Sequence, residues 1–151
     1  MRSLTGFICG VVVATVATIG TLAPPALCAG PDWVLLDENK DSTFFYDQSY
    51  AKKPNGGIHR VRTRVIYTAE GKADALKILA AKKFQKLFET RYLHDLDCKK
   101  AKSRLLEASH LDDEGVTLKT TDLASSTEWE DIVPDTRMDL VVEKVCIGNG
   151  H

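Results

Sequence analysis

Three arginines at strict two-residue spacing, Arg60, Arg62 and Arg64, are the residues best placed for chemistry in this chain of 151 residues. Alternate side chains of an extended strand project to one side. Three guanidinium groups would therefore stand in a line, on the face away from Val61 and Val65. Such a row can grip carboxylates, sulfates or lipid headgroups in forked pairs. It can also be spent internally, on acids of neighbouring strands such as Glu107 or Asp97, and is then a solvated sheet face. Among the histidines His59, His94, His110 and His151, His94 and His110 approach one another only if their strands are neighbours. A transition-metal site would want a third ligand nearby, so buried or rim histidines are the plainer reading. Asp95, Asp97 and the Asp112–Glu114 turn lack the spacing of a calcium loop and read as a solvated acidic face. Phosphate loops, dinucleotide loops, nucleophile elbows and HExxH are absent from the sequence, and so is CxxC. The expectation is a non-enzymatic protein with no catalytic residue, no cofactor and no metal.

The elements that would position the arginine row follow from periodicity. Ile58 to Thr68 alternates most cleanly, with Val61, Thr63, Val65 and Tyr67 on one face. Trp33 to Asp37, Thr43 to Asp47, Tyr92 to Cys98, Arg104 to Leu111 and Val116 to Thr121 also read as strands. Turns are signalled at Asn39–Ser42, Pro54–Gly57 and Asp112–Gly115. After Gly71 the period changes: Ala73, Leu76, Ala80, Phe84 and Leu87 mark one amphipathic helix running to Phe88. The lysines from Lys77 to Lys86 read as its wet side. Leu123 to Glu128 is a loop, after which Trp129, Ile132 and Val133 re-enter the core. A last helix follows Pro134, capped by Asp135 or Thr136. Met138, Val141, Val142 and Val145 form its buried stripe, with Cys146 beside it, Glu143 outside, and Gly148 and Gly150 as its stop. The fold class is α+β: roughly six antiparallel strands, a C-terminal helix packed on one face of the sheet, and one additional amphipathic helix.

The N-terminus has the layout of a secretory signal peptide. Arg2 precedes the apolar run Phe7–Leu22, then come Pro24, Pro25 and the small residues around Ala29. The prolines cut the run short of a membrane anchor. Cys9 follows Ile8 and Cys28 follows Leu27, poor fits to lipidation. The reading is residues 1–29 as signal and 30–151 as one domain, exported to the periplasm or the outer cell surface, with no transmembrane span after cleavage. The chain has 20 basic and 21 acidic residues; loss of Arg2 leaves 19 basic ones and a net charge of −2. That balance argues against nucleic acid as a partner. Of four cysteines, Cys98 and Cys146 remain, an even pair in an oxidising compartment. A bond between them would tie the last helix to a strand.

Trp33-Val34-Leu35-Leu36, Tyr46-Asp47, Leu96-Asp97-Cys98, Arg104-Leu105-Leu106, Asp113-Glu114-Gly115, Trp129 to Pro134 and Val145-Cys146 occur in an order and spacing that resembles the bacterial surface-adhesin protein E family. The resemblance spans nearly the whole mature chain. It implies an antiparallel sheet carrying a disulfide-held C-terminal helix, a binding role toward protein or extracellular-matrix partners, and a possible homodimer. The alternative is a small-ligand or envelope-stress accessory protein of the periplasm.

Overall fold

The computed structural model describes residues 30–50 and 56–147. The segment read as an export signal, Pro54 and Asn55 of the Pro54–Gly57 turn, and the glycine stop after the last helix lie outside the described residues. Six strands form the sheet: β1 (Trp33–Glu38), β2 (Ser42–Asp47), β3 (Ile58–Tyr67), β4 (Glu89–Asp97), β5 (Lys102–Leu111) and β6 (Thr117–Asp122). Each pairs antiparallel with the next, so spatial order follows chain order. A two-residue strand, β7 (Glu130–Asp131), adds to the start of β5 at Lys102 and Ser103.

Short polar side chains close the turns. Asn39 Oδ1 accepts from the backbone of Asp41 at 2.9 Å and Ser42 at 3.0 Å. Asp97 Oδ1 accepts from Lys99 and Lys100, both at 3.1 Å. Asp112 Oδ1 accepts from Val116 at 2.8 Å, while Gly115 takes a φ of 78°. These are the local bonds through which Asn and Asp favour turns over strands.

One face of the sheet carries the core. Phe44, Tyr46, Val61 and Leu96 pack against Val141 and Val145 of the C-terminal helix, with Val34, Leu36, Val65, Ile132 and Met138 around them. That helix, α2, spans Arg137–Val142 and continues as a π-helical turn, Glu143–Ile147. Thr136 caps it. Arg137 seals its start by donating to Asp37 at 2.7 Å and to Ser42 Oγ at 2.8 Å. The Cys98–Cys146 disulfide fastens its end to β4, with Cα atoms 5.7 Å apart. Val141 and Val145 are buried and Glu143 is exposed, as the stripe requires. Val133 is not a core residue: it is 60% exposed, because only Ile132 of that pair turns inward.

The expected long helix from Ala73 to Phe88 is two pieces, α1 (Ala69–Ile78) and a 3-10 turn (Lys82–Lys86). The reason is closure. The Tyr67 N–H donates to the Phe88 carbonyl at 3.1 Å, so everything between must leave the sheet and return to the same place. A straight helix of that length would end roughly 24 Å from its start. α1 also begins before Gly71. Its cap, Thr68, donates to the carbonyls of Lys40 and Asp41 and accepts from Gly71 N–H. The first turn thus lies on the β1–β2 turn, where a Cβ on Gly71 would meet the Asp41 carbonyl oxygen at 1.9 Å. Gly71→Ala is expected to cost about 1–3 kcal/mol, read as a lowered midpoint in urea. An unchanged midpoint would mean that α1 does not rest on that turn.

Candidate binding face

The face of the sheet opposite α2 carries the arginine row, and register decides each arginine's fate. Arg60 pairs with Asp95 across β3 and β4. Its Nε and terminal nitrogen donate to the two carboxylate oxygens at 2.7 and 3.0 Å. Asp95 is buried, and Arg104 approaches it from β5 at 3.5 Å. Arg60 is therefore held in the sheet, its charge further secured by the Asp95 bond. The acids anticipated for this pairing do other work. Asp97 closes a turn, and Glu107 lies opposite Leu93 and accepts from Ser109 Oγ at 3.2 Å.

Arg62 and Arg64 are held differently. The Arg62 guanidinium lies 3.6 Å from the centroid of the Tyr50 ring, with the Asp47 carboxylate at 3.5 Å. Asp47 is itself engaged by the backbone and hydroxyl of Ser49. Arg64 sits between Phe45 and Trp33, 4.6 and 4.9 Å from their centroids, with Glu89 at 3.6 Å. Arg91, directly across from Arg64, donates to Glu89 at 2.7 Å and borders the same Trp33 ring. Burial makes the Arg64 proton less firmly held, Glu89 opposes this, and Arg91 adds to it. The Nε atoms of Arg62 and Arg64 make no hydrogen bond. Those Nε atoms are buried, so aromatic stacking fixes the guanidinium planes with the terminal nitrogens as the donors an incoming carboxylate would meet. Beside them, Tyr50, Arg62, Arg91, Leu93, Glu107 and Ser109 line a recess of about 310 Å³.

Arg91, Tyr50, Trp33 and Phe45 were not legible as parts of this face. The alternation that places Asp95 and Asp97 together, carried back two more steps, would have found Arg91. Tyr50 lies in a 3-10 turn, Gln48–Tyr50, which has no periodic signal.

His94 and His110 lie on the helix-covered face and answer to separate threonines, while His151 lies outside the described residues. His94 Nε2 is 3.2 Å from Thr63 Oγ1, and burial pushes its pKa down to about 4. His110 Nδ1 is 2.9 Å from Thr90 Oγ1, which is 3.0 Å from the Tyr67 hydroxyl. Among the described residues no group of three or more His, Cys, Asp or Glu is arranged to hold a metal.

The sequence pattern of the surface-adhesin protein E family matches residues 33–147, nearly the whole described chain. The chain belongs to the surface-adhesin protein E family. Solved structures of Haemophilus influenzae protein E share the fold. One is 15% identical, with a TM-score of 0.56, and covers 85% of this chain and 93% of that one. A second crystal form is also 15% identical, with a TM-score of 0.55 and coverage of 86% and 98%. Protein E from non-typeable Haemophilus influenzae, 14% identical, gives 0.53, with 85% and 84% covered. A comparison with curated proteins finds no match. The sheet, the C-terminal helix and the Cys98–Cys146 bond anticipated from the surface-adhesin protein E resemblance are all present. The family is one of surface adhesins, which places this member among exported, cell-surface binding proteins. No described helix is long and apolar enough to cross a membrane.

Proposed function

We propose that this surface-adhesin protein E member is a non-enzymatic binding protein of the bacterial envelope that recognises a carboxylate-rich protein partner through Arg62 and Arg64. Residues 1–29 act as its export signal and residues 30–151 as the binding domain. One observation carries the reading: two guanidinium groups stacked on Tyr50, Trp33 and Phe45, whose terminal nitrogens stand 3.5 and 3.6 Å from Asp47 and Glu89 rather than in tight hydrogen bonds. Ordered, planar cations on aromatic supports lose little freedom on binding, which is why arginine and aromatic residues dominate interface hot spots.

The test separates Arg60 from its neighbours. In Arg62→Gln/Arg64→Gln the fold should persist, while affinity for partners captured from extracellular and envelope fractions falls about thirtyfold, the scale of one strong hot spot. Arg60→Gln should instead lower stability, since it removes both hydrogen bonds to buried Asp95 and leaves it only Arg104 at 3.5 Å. Unchanged affinity in the folded double variant would remove these arginines from the site.

A second reading rests on the neighbouring recess. Its volume, about 310 Å³, is at the small end of ligand pockets. A periplasmic role in binding a small carboxylate would appear as thermal stabilisation by that ligand, lost with Arg62 and Arg91. Protease accessibility on intact cells distinguishes surface display from the periplasm.

A further inference from the structure

The segment inserted between β3 and β4 exposes what a single amphipathic helix would have hidden. α1 ends at Ile78, and the chain reverses through residues 79–81 into the 3-10 turn. Ile78 is 86% exposed, more than any other large hydrophobic residue described, and Ala80 and Ala81 beside it are exposed too. The returning limb is anchored: Phe84 and Leu87 are buried, and Phe84 meets the His110 ring edge-on at 5.2 Å. The tip is thus an aliphatic projection on a fixed base.

Around it the charge is one-sided. Residues 71–88 hold Lys72, Lys77, Lys82, Lys83 and Lys86 against Asp74 alone, in a chain whose net charge is −1. Asp74 is taken by Lys77. Lys72 and Lys86 share a recess with the acidic turn Asp112–Glu114, which offsets them. Lys82 and Lys83 are exposed, and among the described residues no carboxylate lies within ion-pair distance of either. The sheet adds Lys119, on β6 directly opposite His110. Lys83 and Lys119 both disfavour protonation of His110, after burial, so they converge on one side of the molecule.

We infer that this tip docks on an anionic phospholipid surface, with Ile78 entering the acyl boundary and Lys82, Lys83 and Lys119 resting among the headgroups. A protruding aliphatic side chain that is 86% exposed suits a fluid surface better than a shaped protein partner. Lysines on long stems can lie along such a surface while their ammonium groups stay wet. The tip belongs to a different part of the molecule from Arg62 and Arg64, so the two readings fail separately.

The test is co-sedimentation of the full chain, recovered from the exported fraction, with phosphatidylcholine vesicles lacking or containing phosphatidylglycerol. Binding is expected only with phosphatidylglycerol, and should weaken as salt is raised. Each lysine near the surface contributes about fivefold. Lys82→Gln/Lys83→Gln should therefore weaken binding on the order of 25-fold. Ile78→Ser should weaken it severalfold with the charge intact, while Arg62→Gln/Arg64→Gln binds as the parent. Ile78, Lys82 and Lys83 are exposed, and circular dichroism checks that every variant folds. Equal binding to neutral vesicles, no binding to anionic ones, or variants that bind like the parent would overturn the inference. So would equal loss of binding to soluble polyglutamate, which would show an acidic protein as the true occupant.

Discussion

Val145→Asp should unfold the domain or lower its stability by roughly 5 kcal/mol. Val145 is 1% exposed and lies with Val141, Phe44, Tyr46, Val61 and Leu96 in the cluster that joins α2 to the sheet. Losing a buried valine forfeits about 1.5–3 kcal/mol of burial. The carboxylate would then sit among apolar side chains, and a buried polar group without a partner costs several kcal/mol more. A domain of this size has about 5–15 kcal/mol in total. Chemical denaturation followed by circular dichroism reads the result. A variant that melts with the parent would show that α2 does not pack where the structure places it. Glu143→Ala, two residues away on the exposed side, should be nearly silent.

The second large effect belongs to the disulfide. Cys98 and Cys146 are 48 residues apart, so the bond restricts a long segment of the unfolded chain. On the chain-entropy account this contributes about 4 kcal/mol. Replacing both cysteines by alanine should lower stability by that order, with the sheet retained and the end of α2 freed. Non-reducing peptide mapping of the parent should recover the two cysteines in one linked species. Two free thiols in the oxidised, exported protein would contradict the structure.

What could be read from sequence was whatever depends on a residue and its near neighbours. β3 declared itself because its inward residues, Val61, Thr63 and Val65, alternate with arginine. α2 did so because Thr136 precedes a stripe at helical spacing. The break after Ile78 was hidden, because nothing in residues 69–88 commands it. It is imposed by the Tyr67–Phe88 closure, a property of the hairpin as a whole. The same applies to the arginines. Their common face follows from period two, but that Arg60 is forked onto Asp95 while Arg62 and Arg64 stack on aromatic rings beside Asp47 and Glu89 depends on registry between strands. The aromatic supports come from β1, β2 and the turn at Tyr50, and no local spacing links those residues to β3.

The strand order has a consequence for a chain that emerges N-terminus first, from a ribosome or through a membrane pore. Every strand from β2 to β6 finds its partner in the strand that appeared just before it. The sheet can zip up during emergence, closing local connections of which the α1 segment between β3 and β4 is the longest. α2 is the exception: Arg137 reaches back 100 residues to Asp37 and 95 to Ser42, and must wait for nearly the whole chain. Until then Phe44, Tyr46, Val61 and Leu96 face water as one apolar surface. A chain stalled or clipped before Pro134 would be a nearly finished sheet with its sticky side bare, the kind of species that chaperones and proteases intercept.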